Sequence, residues 1–247
     1  MASRIEPNQQ LPRRLLAEFV GSALLVTVVV GSGIAATQLS PNDAGLQLLE
    51  NSTATALGLA VLIVLFGPVS GAHFNPVVSL ADWLLGRRSA TGITAQTMTM
   101  YASAQVAGGI CGAMLANAMF GRRVVELATK DRANTGHLIG EVVATAGLVA
   151  LIFALARTGR AALSAAAVGA YIGAAYWFTS STSFANPAVT VGRMFSDSFS
   201  GIAPSSVVPF IAAQIVGGAI GLALTVILYP DLTNAADKAV VPHQPME

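Results

Sequence analysis

Charge is the scarcest commodity in this chain. Only 10% of its 247 residues are Asp, Glu, Lys or Arg, where a soluble domain carries about 25%. Most of the surface is therefore expected to face something other than water, in keeping with 54% hydrophobic residues and a mean hydropathy of +0.66. A net charge of +1 without a clustered basic face gives no footing for nucleic acid. Cysteine is almost absent: Cys111 stands alone, which excludes a disulfide framework within the chain, and it is expected to be a small packed residue. No nucleophile–base pair and no set of metal ligands stands out, so neither an enzyme nor a metal or other cofactor is expected.

What the sequence does have is long uncharged runs. Residues 19–42, 51–81, 89–121, 161–192 and 198–230 contain no charged side chain, and 133–156 contain only Glu141. A helix needs about 20 mostly apolar residues to cross the hydrocarbon. Six spans are predicted, near 15–37, 52–69, 95–119, 137–156, 161–180 and 205–229. The first follows Arg13 and Arg14, contains Glu18, and is too long for the core of a secretory signal, so it is read as a retained span.

Two of the runs, 51–81 and 161–192, outlast their spans and continue into proline-containing segments. Uncharged but helix-breaking sequence points to irregular backbone at membrane depth, tolerated where it is buried in protein or lines a wet cavity. Each segment holds an Asn-Pro pair. The chain also repeats: Ala17-Glu18-Phe19-Val20-Gly21 resembles Gly140-Glu141-Val142-Val143-Ala144, and Ala104-Gln105-Val106-Ala107-Gly108-Gly109 resembles Ala213-Gln214-Ile215-Val216-Gly217-Gly218. Residues 1–120 and 121–247 are thus read as two three-span repeats, one with a half-helix after Asn75 and the other with one after Asn186. An odd number of spans per repeat inverts the second in the membrane, and inverted repeats with broken helices place the transport site between the halves. Spaced small residues, Gly108 with Gly112 and Gly217 with Gly221, suit close helix packing.

Proline suits the first position of a helix, so Pro76 and Pro187 start half-helices that Asn75 and Asn186 cap. Two half-helices meeting head to head bring their positive ends together. The asparagine amides can then orient water, and the positive ends repel cations. Glu18 and Glu141 lie inside spans, where a charge is functional by default. They are either a proton relay in a coupled transporter or, as their symmetric placement favours, acceptors that hold the re-entrant loops. Gln105 and Gln214 are expected to assist them. His73 is read as a structural hydrogen bonder, with a gating role as the alternative.

The two loops, Ser70-Gly71-Ala72-His73-Phe74-Asn75-Pro76-Val77 and Ser183-Phe184-Ala185-Asn186-Pro187-Ala188, resemble the signature loops of the major intrinsic protein (aquaporin) family, and the likeness runs from Glu18 to Tyr229. It implies an all-α membrane protein of six transmembrane helices and two re-entrant half-helices. It also implies one pore per subunit and a homotetramer in the lipid bilayer. The expected location is a cell membrane, specifically a bacterial inner membrane. Counting basic residues by side, Arg4, Arg13, Arg14, Arg87, Arg88, Arg157, Arg160 and Lys238 against Arg122, Arg123, Lys130, Arg132 and Arg193, puts the N-terminus in the cytoplasm.

The chain departs from the family at the outer constriction. Most members carry an arginine directly after the second Asn-Pro-Ala; here Val189 follows. Loop spacing maps the other constriction positions to Thr55, Ala174 and Ser183, a wide neutral set. This resembles a bacterial branch linked with arsenic resistance and implies passage of polyols, metalloid acids such as arsenous acid, and water. The alternatives are a plain water channel, the proton-coupled transporter using Glu18 and Glu141, and a membrane protein with a closed pore. Arg193, four residues beyond Val189, has two readings: it reaches back to the vacant position, or it lies at the outer surface beside Asp197.

Overall fold

The computed structural model describes residues 7–89 and 92–230; Arg4 and Lys238, counted above for orientation, lie outside these residues, as does the side chain of Arg88. Among the described residues the regular structure is entirely helical. In chain order the helices are α1 (Pro7–Leu39), α2 (Ala44–Ser70), α3 (Pro76–Ser89), α4 (Ala95–Met119), α5 (Thr135–Arg157), α6 (Ser164–Phe178, led in by a 3-10 turn at Ala161–Leu163), α7 (Pro187–Arg193) and α8 (Pro204–Leu228). Of these, α1, α2, α5, α6 with its lead-in turn, and α8 are long and apolar enough to cross a membrane. Helix α4 is long enough, since 25 residues at about 1.5 Å each span about 37 Å. Its composition is diluted by Gln96, Thr97, Thr99, Gln105 and Asn117, several of which are spent on internal bonds. Each predicted span coincides with a helix.

Helix ends are set by local chemistry. Asp43, Thr94 and Asn134 cap α2, α4 and α5 by accepting from the backbone N–H three residues on. Helix α2 stops at Gly71, whose φ of 89° only glycine adopts cheaply. The two short helices begin at Pro76 and Pro187. They differ in length, 14 residues against 7. Helix α7 gives out because the Ser- and Gly-rich run Ser196–Gly201 turns on itself, with Ser198 and Gly201 donating backbone bonds to Ser196 and Ser198.

The two repeats pack alike. A Cβ placed on Gly108 or Gly112 of α4 would stand 2.2 Å from Phe19 O or 2.1 Å from Ala23 O of α1. Gly217 and Gly221 of α8 meet Val142 O and Ala146 O of α5 in the same way, at 2.5 and 2.3 Å. These backbone-to-backbone approaches use the small-residue spacing to close each helix pair. The half-helices cross between repeats: Gly109 of α4 lies against Ala188 O of α7, and Gly218 of α8 against the Val77 side chain of α3. Inverted three-helix units thus interlock through their re-entrant segments.

Gly221→Val is expected to force α5 and α8 apart, because the clash is with backbone that cannot rotate away. A loss of about 1–3 kcal/mol is typical of such overpacking. Thermal unfolding in detergent reads it, and a midpoint equal to that of the unmodified protein would show that the pair is not held this closely.

Cys111 differs from expectation: it is exposed on the outside of the bundle, because the Gly108–Gly112 face of α4 is the one turned inward.

Candidate functional site

The two Asn-Pro loops are irregular by necessity and held by matching devices. Ala72 and Phe74 in the first, and Ser183 and Ala185 in the second, sit at positive φ between 47° and 49°. These are the residues three and one before each asparagine. Non-glycine residues there cost roughly 1–2 kcal/mol each, so each loop needs external support.

That support comes from the buried glutamates. Glu18 accepts from His73 N (3.0 Å) and Ser70 Oγ (2.6 Å) on one oxygen and from Phe74 N and Gln105 Nε2 (both 2.7 Å) on the other. Glu141 accepts from Phe184 N (2.8 Å), Ala185 N (2.9 Å) and Gln214 Nε2 (2.6 Å). Both residues are fully buried. A ring of donors of this kind suits an ionised carboxylate, which can only accept. Gln105 also donates to Ser79 Oγ at 3.0 Å and Gln214 to Thr190 Oγ1 at 2.8 Å, each four residues past its asparagine. His73 Nδ1 lies 3.0 Å from Ser79 Oγ while the ring lines the cavity described below.

The asparagines join the loops to each other. Asn75 Oδ1 accepts from Val77 N, and Asn186 Oδ1 accepts from Ala188 N and Val189 N, which caps each short helix. Their amides point across: Asn75 Nδ2 donates to Ala185 O at 2.8 Å, and Asn186 Nδ2 donates to Phe74 O at 2.7 Å. Each amide has two hydrogens, so one N–H remains for the lumen. The capping follows from Asn-Pro alone; the reciprocal bonds do not, because they join residues over a hundred positions apart.

A cavity of about 50 Å³ runs through this crossing, room for a short file of waters or one small solute at roughly 10–15 Å³ per water on this measure. Its lining mixes apolar side chains, among them Leu25, Leu59, Ile63, Leu148 and Ile152, with the polar Thr55, His73, Asn75, Tyr176, Ser183, Asn186 and Arg193. Thr55, Ser183 and Val189 of the predicted constriction all line it. Ala174 does not. It is exposed on the far face of α6, and Tyr176, two residues on and rotated by about half a turn, lines the cavity instead. Tyr176 OH lies 3.2 Å from Thr55 Oγ1. The residue is large, so it takes more of the cavity than the small side chain expected from the sequence. Counting back ungapped from the second loop misplaces the helix register, because Thr179–Thr182 turns before the loop begins.

Arg193 is also resolved. It is 1% exposed and lines the cavity, its Nε donating to Ser200 O and its Cζ 3.4 Å above the Phe184 ring centroid. It does not pair with Asp197, whose carboxylate accepts from Thr129 N and Oγ1. A second buried arginine, Arg132, lies 5.1 Å from the same ring and donates to Gly201 O and Phe199 O. Sequence reasoning missed Arg132, which sits on the α4–α5 loop far from either motif. Burial pushes its guanidinium down to about 10. Nearby Lys130 falls to about 8, chiefly from desolvation and then from the charges of Arg132 and Arg193. The α7 end of the pore is therefore electropositive.

The family model for major intrinsic proteins matches residues 7–183. Aquaglyceroporin AqpS of Rhizobium meliloti is 47% identical over 87% of this chain and 89% of that protein. A glycerol uptake facilitator protein of Pseudomonas aeruginosa is 37% identical over 49% of this chain and 40% of its own length. Among solved structures, the aquaglyceroporin from Plasmodium falciparum superposes with a TM-score of 0.65 at 16% identity, over 89% of this chain and 98% of that one.

Proposed function

Because the chain belongs to the major intrinsic protein family and is a passive membrane channel for small uncharged solutes, we propose that glycerol-sized polyols and metalloid acids such as arsenous acid are its substrates, with water as co-permeant. The observation that carries this reading is the cavity through the Asn75–Asn186 crossing, whose lining has Val189 directly after the second Asn-Pro-Ala and Arg193 only one turn further along α7. A lining that mixes apolar and polar side chains suits solutes with both hydrocarbon or weakly hydrated surface and several hydroxyls. The name of the Rhizobium meliloti relative, an aquaglyceroporin, supports water and glycerol.

In this reading Asn75, Asn186, Pro76 and Pro187 form the pore centre, and Thr55, Tyr176, Ser183, Val189 and Arg193 form the constriction. Glu18, Glu141, Gln105, Gln214 and His73 brace the loops. The repeats divide near residue 120. The functional unit is a homotetramer in a bacterial inner membrane with the N-terminus cytoplasmic, which puts the α7 end outside. The family resemblance supports the tetramer, and the distribution of basic residues supports the orientation.

Stopped-flow measurements on proteoliposomes test this with water, glycerol, urea and arsenous acid. Water, glycerol and arsenous acid should all pass, at rates independent of a proton gradient. Val189→Arg is expected to cut glycerol and arsenous acid flux by about tenfold or more while sparing water, because one long cationic side chain more would block a path already shared with Arg193. Passage of water alone through the unmodified protein would replace this reading with a plain water channel, and flux driven by a proton gradient would replace it with a coupled transporter.

A further inference from the structure

The α4–α5 loop carries an apolar surface that nothing among the described residues covers. Val124, Val125 and Leu127 are 48%, 52% and 55% exposed. Set side by side, they form a patch rather than scattered surface residues. Arg123 beside them is exposed and has no hydrogen bond or ion pair among the described residues. Its neighbour Arg122 is committed, bonding Glu126 and Asp197 O.

The patch lies at the depth of the last turn of α4. Arg122 N donates to Asn117 O, and Asn117 Nδ2 donates to Val124 O, so the chain folds back beside that turn instead of rising from it. Helix α4, at about 37 Å, exceeds a hydrocarbon core of about 30 Å, which leaves its end turns in the headgroup layer. Its exposed stripe of Cys111, Leu115 and Met119, spaced by four, leads to the same turn, and the loop patch follows it in the chain. The patch also points away from the protein. Glu126 N and Ala128 N donate to Phe195 O and Met194 O, so this stretch runs extended along the residues that follow α7. Val125 and Leu127 then share one face, while Ala128 is buried on the other against Gly201.

We propose that residues 122–127 dock into the membrane interface at the α7 end, with Val124, Val125 and Leu127 at the acyl boundary and the Arg123 guanidinium on a lipid phosphate. Interfacial segments bind by pairing apolar area with basic side chains. A guanidinium matches phosphate with two parallel N–H bonds, and anionic headgroups hold it better than zwitterionic ones. A second copy of this face is a poorer occupant. Its nearby carboxylates offer nothing to Arg123, because Glu126 is held by Arg122 and Asp197 by Thr129. The opposite edge of the segment bonds the carbonyls of Met194 and Phe195, so the lipid anchor and the end of the second half-helix are one hydrogen-bonded unit.

The test places a bimane label at Val125→Cys or Leu127→Cys, each in a Cys111→Ser background, in nanodiscs of phosphatidylcholine and phosphatidylglycerol. Met119→Cys serves as the reference on the exposed stripe of α4. Quenching is compared between a lipid with a nitroxide high on its acyl chain and aqueous iodide. Both loop positions are expected to respond to the lipid quencher about threefold more than to iodide, as the reference does. Stronger quenching by iodide puts the patch in water, and protection from both puts it against protein, a second copy included; either result overturns the proposal. Moving the nitroxide from phosphatidylcholine to phosphatidylglycerol is expected to raise quenching at Val125→Cys by up to about fivefold, and Arg123→Ser to remove that gain. Equal quenching by the two lipids, or a gain that Arg123→Ser keeps, overturns the headgroup contact. The two label sites check each other, since both are exposed and neither substitution touches the backbone bonds of Glu126 and Ala128.

Discussion

Glu18→Gln is expected to abolish recovery of folded protein, and Glu141→Gln to lower it by a smaller factor. Four donors converge on Glu18 and three on Glu141, the difference being the Ser70 hydroxyl. A glutamine offers one oxygen where the carboxylate offered two. Its NH2 group would then face at least one backbone N–H inside the protein, donor against donor. Bonds to a charged acceptor contribute about 1.5–3 kcal/mol each, so losing two of them removes about 4 kcal/mol. The loops they hold carry positive φ at Ala72 and Phe74 or at Ser183 and Ala185, and without support would relax toward unstrained backbone. Detergent-solubilised yield and thermal midpoint read the effect. A Gln variant that folds normally and loses a dependence of flux on proton gradient would establish the relay reading instead.

Asn186→Asp should convert a tight pore into one that leaks cations. The amide N–H donated to Phe74 O is replaced by an oxygen facing an oxygen, and a negative charge is placed where the two loops meet. At about 5 Å and an effective dielectric of about 20, that charge attracts a monovalent cation by about 3 kcal/mol, which is about a hundredfold in occupancy. Asn75→Asp does the same from the other side through Ala185 O. Sodium flux into liposomes at mildly alkaline pH measures it. A folded variant as impermeable to sodium as the parent would separate Asn186 from the pore centre.

How much of this was legible in the sequence depends on the distance over which each signal acts. Absence of charge is a property of a whole span, and it located every long helix to within a few residues except at the N-termini of α1 and α2, where Arg13 and Arg14 in one and Glu50 in the other are carried inside the helix. The proline starts of α3 and α7 are local chemistry and fell where Pro76 and Pro187 stand. Which face of a helix looks inward is harder. The small residues around Ala174 give no amphipathic contrast, and only the bond between Tyr176 and Thr55, 121 positions apart, shows which side is turned to the cavity. Arg193 posed the same problem. Spacing allowed either of two partners, and the contact that decides, the ring of Phe184, lies in the same loop but turns inward only because Glu141 holds the backbone.

The crossed amides carry a consequence for descent. Asn75 finds its carbonyl in the second repeat, and Asn186 finds its own in the first. One repeat by itself has an asparagine with nothing to hold and a carbonyl with nothing holding it. An ancestor half this length would have completed its loop only by meeting a sister copy inserted in the opposite sense. Duplication followed by fusion would then have fixed that antiparallel pairing in a single polypeptide. Once joined, the two loops are free to differ in what they present to a solute, as Ala72 and Ser183, His73 and Phe184 now do, but not in the bond each owes the other.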